Sequence, residues 1–80
     1  MSEALSRAVC DEIKTLMKAR DVSAYAIWKA TGIPQSSLGR KLRNDAAFDL
    51  DDVQKIAGMF GVEPADLVAW AQRRLRNPIE

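Results

Sequence analysis

Residues 23–44 read SAYAIWKATGIPQSSLGRKLRN, and the fold is decided in this stretch. Ser23 follows a break at Arg20-Asp21-Val22 and is a natural N-cap, because its side-chain oxygen can accept from an amide of the first turn. It opens a short helix with Ala26, Ile27 and Ala30 on one face. Gly32 tolerates the left-handed conformation that ends a helix and turns the chain sharply, so Thr31-Gly32-Ile33 is a tight corner and not a loose loop. Pro34 suits the first position of a new helix, where its missing N–H would have no partner in any case. That helix covers about residues 34–43, with Leu38 and Leu42 facing inward. Two short helices joined by a tight, glycine-bearing turn make a helix-turn-helix unit.

The flanking sequence completes a bundle. Leu5, Val9, Ile13, Leu16 and Met17 recur at spacings of three and four residues, which predicts an amphipathic helix over about 3–20. After the unit, Asn44-Asp45-Ala46-Ala47 is a surface loop and Phe48 returns to the core. Asp49 caps a fourth helix, with Asp52 at a capping-box-like position. Val53, Ile56, Ala57 and Phe60 form its buried stripe, and Gly61 ends it. Glu63-Pro64 begins a fifth helix carrying Leu67, Val68, Ala71 and Leu75 and closing at Asn77-Pro78. The expected fold is therefore all-α, a single domain over 1–80 whose helices 2 and 3 are the helix-turn-helix.

Composition narrows the chemistry. Eighty residues, 48% of them apolar and 29% charged, suffice for one core and little more. No run approaches the ~20 apolar residues that span a bilayer. Met1-Ser2-Glu3 lacks the basic and apolar segments of an export signal, so the expected location is the cytoplasm. The chain has one cysteine and no histidine, which removes the usual zinc ligands and the commonest general base. No enzyme activity, metal, cofactor or small-molecule ligand is expected, and Cys10 and the methionines read as core filler. The net charge of +1 says little, but its distribution is informative. Between Val22 and Asn44 every charge is positive (Lys29, Arg40, Lys41, Arg43). Between Asp45 and Asp66 six acids stand against Lys55 alone.

A second helix presented by such a turn can lie in the major groove of DNA while the first crosses the backbone. Its outward residues Gln35, Ser36, Gly39, Arg40 and Arg43 suit that task, since Gln pairs bidentately with adenine and Arg with guanine. Gly39 in mid-helix costs ~1 kcal/mol against alanine, which a close approach of backbone to DNA or to thymine methyls would explain. The alternative is an ordinary solvated face, with Arg43 and Lys41 serving solubility. Tyr25 either packs on the scaffold or reaches a phosphate through its hydroxyl. Trp70 is either a core aromatic or part of a dimer interface. Arg73, Arg74 and Arg76 fit a helix C-terminus better than a second DNA contact.

The order and spacing of Ser23-Ala24-Tyr25-Ala26-Ile27, Thr31-Gly32-Ile33-Pro34-Gln35-Ser36-Ser37-Leu38, Arg40-Lys41-Leu42-Arg43-Asn44, Phe48-Asp49-Leu50 and Ile56-Ala57-Gly58-Met59-Phe60-Gly61-Val62 resemble the lambda-repressor/Cro-like (Xre) family. The resemblance covers roughly Val9 to Trp70. It implies a five-helix bundle that binds double-stranded operator DNA, commonly as a homodimer on two half-sites, with no membrane association. It also implies base contacts from Gln35, Ser36 and Arg40, phosphate contacts from Ser37, Arg43 and Asn44, and a further backbone contact at Ser23 and Ala24. The residues themselves add Gly39 to the expected base-reading face and Tyr25 and Lys41 to the expected backbone contacts. Three positions depart from the family pattern. Ala24 stands where many members carry a phosphate-anchoring glutamine. Trp28 replaces a small alanine between the two helices, which should alter their crossing or project beside the DNA. Lys41 replaces a residue that is often apolar.

The resulting expectation is a transcriptional regulator of the repressor or Cro type acting by operator occupancy, of a size that fits a phage or prophage origin. The alternative is a protein-interaction module of the same fold, antitoxin-like or an adaptor.

Overall fold

Among the described residues four are left-handed, Asp21, Gly32, Asn44 and Gly61, with φ of 54°, 79°, 65° and 73°. Each follows a helix, and each is a residue type that adopts this conformation at low cost. The computed structural model describes residues 3–76, in which the helices are α1 (Glu3–Arg20), α2 (Ala24–Thr31), α3 (Gln35–Leu42), α4 (Leu50–Phe60) and α5 (Pro64–Arg76). At three of the four ends the residue beyond reaches back to satisfy a terminal carbonyl. The amide of Val22 donates to the Met17 carbonyl (2.8 Å), that of Asp45 to Arg40 (2.8 Å) and that of Val62 to Ala57 (2.9 Å). None of the helices of the described residues is long and apolar enough to cross a membrane.

The starts are capped as expected. The Ser23 hydroxyl accepts from the Ala26 amide, and Asp49 and Asp52 form a reciprocal capping box at α4. Pro34 lies one residue earlier than expected. With ψ of 141° it is the residue before α3, not its first turn, because an extended ψ is needed to leave the Gly32-Ile33 corner.

α2 and α3 are eight residues each, well short of the ~12–15 that an isolated helix needs to persist in water. They are helical because they are pinned. Ile27, Ile33 and Leu38 are fully buried with Val9 and Ile13 of α1, Phe48 of the loop, Val53, Ile56 and Phe60 of α4 and Leu67 of α5, each such burial being worth ~1.5–3 kcal/mol. Met17, Met59 and Val68 pack partly buried on this core, and Trp70 is half-buried on α5. Ala30 and Leu75, expected on inward faces, are exposed. α2 packs on the core through Ile27 and Trp28, turned away from Ala30, and the buried stripe of α5 ends at Ala71, one turn before Leu75.

α1 lies along α5, and a side-chain clasp fixes the pair. Arg74 Nε donates to Glu12 Oε2 at 2.5 Å and Arg74 Nη2 to Thr15 Oγ1 at 2.8 Å. Arg20 Nη1 donates to the Phe60 carbonyl at 2.9 Å, closing the C-terminus of α4. The expected helix end at Asn77-Pro78 and Met1 lie outside the described residues.

The capping box gives α4 an acid-sensitive start. The Asp52 amide, donating to Asp49, is the main cause that lowers the Asp49 carboxyl below its usual value, helped by nearby Lys41. A depressed carboxyl stabilises the fold at pH above its unfolded value and loses that contribution as pH falls through the folded one. Urea midpoints measured against pH should therefore drop below about pH 4, and Asp49→Asn should show a shallower drop over that range.

Candidate nucleic-acid interface

α3 divides sharply between its two sides. Leu38 is buried, and Lys41 and Leu42, three and four residues on, share its side of the helix and are half-buried. Gln35, Ser36 and Arg40 are exposed, and Ser37 and Gly39 lie at the boundary. Among the described residues, no partner engages the side chains of Gln35, Ser36 or Arg40. The Arg40 charge is therefore open to an external anion. Arg43 and Asn44 are exposed just past the helix. Arg43 pairs with Asp45 at 3.3 Å, with both side chains over 60% exposed, an interaction worth less than ~1 kcal/mol and readily exchanged.

Lys41, expected among the DNA backbone contacts, has a partner within the fold: its ammonium donates to Asp52 Oδ2, with the two side chains only 15% and 9% exposed. The same oxygen accepts the Asp49 amide at 3.2 Å. One buried carboxylate thus ties the last turn of α3 to the first turn of α4. The signal was in the spacing. Lys41 is three residues from Leu38, and Asp52 is four from both Phe48 and Ile56, so each sits on an inward face where a charge requires a partner.

Cys10 has a role that sequence reasoning missed. Its thiol points at the end of α3, 3.4 Å from the Lys41 carbonyl and 3.5 Å from that of Leu42, where helix carbonyls lack intrahelical partners. Burial pushes the Cys10 pKa up, which keeps the thiol protonated and able to donate. Nothing in the sequence marked this contact, because it joins residues 31 and 32 positions apart.

The turn is held from within. Thr31 Oγ1 donates to the Ile27 carbonyl at 2.6 Å and accepts from the Ile33 amide at 3.2 Å. On α2, Trp28 does not project outward. It is half-buried against the core, with the Tyr25 ring tilted at 59° across it, 5.3 Å away, and the Lys29 ammonium 5.5 Å from its centre. Tyr25 packs on Trp28 and is also 59% exposed, so both of its expected roles remain open to it.

Ala24, a departure from the family pattern, and the mid-helix Gly39 meet here. Ala24 and Gly39 lie on either side of a groove of about 220 Å³ that Tyr25, Gln35 and Leu38 complete. A Cβ added at Gly39 would meet only the tip of Arg43, at 3.4 Å, an ordinary contact with a flexible side chain. The chain itself does not require glycine at this position.

Residues 12–72 match the Cro/C1-type HTH DNA-binding domain family, and the chain belongs to it. The all-α bundle with α2 and α3 as the helix-turn-helix agrees with that membership, and the family's ligand is double-stranded DNA. Comparison with curated proteins and with solved structures gives no match.

The Lys41–Asp52 link makes a sharp stability prediction. Lys41→Met strands a buried carboxylate and should lower unfolding free energy by about 3 kcal/mol. Asp52→Asn in the same chain removes the charge and keeps an acceptor for the Asp49 amide, so the double variant should recover most of the loss in urea denaturation. Equal stability of Lys41→Met and the parent chain would contradict the buried pair.

Proposed function

We propose that this domain is a transcriptional regulator of the repressor or Cro type, which occupies operator DNA with α3 in the major groove and acts as a homodimer on paired half-sites. The observation that carries the reading is the outer side of α3, where exposed side chains without partners flank a glycine the fold does not need. Gln35, Ser36 and Arg40 are assigned to base edges, because an amide, a hydroxyl and a guanidinium supply the donors and acceptors that distinguish base pairs there. Gly39 lets the helix backbone and the adjoining groove approach the DNA closely.

Ser23, Tyr25, Ser37, Arg43 and Asn44 are assigned to the phosphates. Ser23 accepts from the Ala26 amide with its oxygen and keeps its hydroxyl proton for a phosphate. The first amides of α2 point the same way, as helix N-termini do toward anions. Lys41 has no part in this set. Two half-sites one helical turn apart, about 34 Å, would give two such modules the discrimination that a single one lacks.

Titration onto random duplex DNA at increasing salt tests the binding itself, since phosphate contacts weaken as counterions are restored. Salt-sensitive binding is expected, and its absence would refute the reading. With sites selected from a random oligonucleotide pool, Arg40→Ala should cost about 1–3 kcal/mol and relax preference at one base pair. Arg43→Ala should weaken all sequences alike and reduce the salt slope by about one.

Gly39→Ala separates folding from binding. It should raise thermal stability, by up to ~1 kcal/mol, and lower DNA affinity. A variant that gained stability and kept full affinity would remove the argument for close approach.

A further inference from the structure

A second groove, of about 550 Å³, runs between α4 and α5. Its walls include Leu50, Val53 and Gln54 from one helix and Pro64, Val68 and Gln72 from the other. No lining residue is charged, in a chain where 29% of residues are. At its edge, on the first turn of α4, Leu50 is 70% exposed, more than any other large apolar side chain described. A projecting leucine beside an uncharged groove is not explained by the DNA face or by the core.

We propose that the α4–α5 groove binds a second copy of this chain about a two-fold axis, with Leu50 of each copy entering the groove of the other. This deepens the proposed function by assigning its dimer surface, and the paired half-site arrangement rests on that reading.

A two-fold interface must be complementary to itself, and three features here meet that condition. The projecting side chain and the groove that can receive it lie on the same surface. Gln54 and Gln72 each carry a donor and an acceptor, so either amide can pair with its counterpart in a rotated copy. The exposed flanks carry balanced charge, Asp51 with Lys55 on α4 and Asp66 with Arg73 on α5. Asp51 and Lys55 are one turn apart, and Asp66 and Arg73 two turns apart, so each pair lies along one line of its helix. When two such helices meet antiparallel across a two-fold, the acid of one copy faces the base of the other. A partner with a marked net charge would find no matching field on this surface.

The position also serves reading of paired sites. α4 begins where Asp52, held by the Asp49 amide, pairs with Lys41 of α3, so a contact at Leu50 is coupled to the recognition helix through a buried ion pair. Two copies joined there would present their α3 helices at a fixed separation.

The test is sedimentation of the full chain over a wide concentration range, without DNA, alongside Leu50→Glu. The parent chain should show a reversible dimer, and the variant a dimer dissociation constant at least about tenfold higher with an unchanged helical melt. Asp51→Lys should weaken the dimer, and adding Lys55→Asp should restore it. If Leu50→Glu disturbs the melt, this charge exchange decides, and no restoration overturns the proposal. So does a parent chain that stays monomeric at every concentration, as it would if the groove served a different protein. So does a Leu50→Glu chain that dimerises like the parent, or one that loses affinity for a single half-site. Loss of all salt-sensitive DNA binding would refute the regulator reading and leave the sedimentation result standing, so the two failures are distinguishable.

Discussion

The ion pair between Lys41 and Asp52 is the constraint on which the orientation of α3 depends. Eight residues do not make a helix alone, and this one rests on the core through buried Leu38 and half-buried Leu42, two apolar side chains that give it no directional hold. Lys41, on the same side and one turn further along, supplies a directional one. Its acceptor is itself locked, because Asp52 is part of the capping box that starts α4 and is the only buried charged residue among those described. A third hold comes from the Cys10 thiol of α1 on the last carbonyls of the helix. Rotation of α3 is thus set from α1 and α4 together, and rotation decides which side chains face outward.

This arrangement separates the charges of α3 by duty. The inward charge is neutralised within the fold, and Arg40 has no partner among the described residues. Arg43 has only a solvated one. The acidic segment that follows neutralises only Lys41 and, loosely, Arg43, so the exposed side of α3 keeps its positive charge available to an external anion. The same economy is visible at the other basic cluster. Arg74, one of three arginines near the end of α5, clasps Glu12 and Thr15 of α1 and holds the bundle closed.

Most of the architecture was legible because it is written in local signals. Caps at Ser23 and Asp49, the stops at Gly32 and Gly61 and the periodic stripes of α1 and α4 each act within a few residues. The misreadings have a common cause. Ala30 and Leu75 fit the period of their helices, yet burial depends on whether a neighbour reaches that turn. Pro34 was displaced by one residue because the corner before it needs an extended ψ. For the site, the outward set of Gln35, Ser36 and Arg40 was readable from the turn and the helical period. The internal partner of Lys41 was not foreseen because a basic residue in a basic run looks like part of the surface, and only its distance from Leu38 pointed inward. Cys10 could not be placed, since its partners are carbonyls far along the chain.

Gly39 and Ala24 link the family resemblance to this particular chain. Ala24 looked like the loss of a glutamine at the start of α2, and Gly39 like a place for close approach. Facing each other across the α2–α3 groove, they open the surface instead. The most direct test of α3 as the reading helix is to follow the backbone amide resonances of the full chain while titrating a duplex that carries one selected half-site. The largest shifts should fall at the start of α2, along Gln35 to Arg40 and at Arg43 and Asn44, with Leu50 and Val68 little changed. Shifts centred on α4 and α5, with α3 unmoved, would contradict the account.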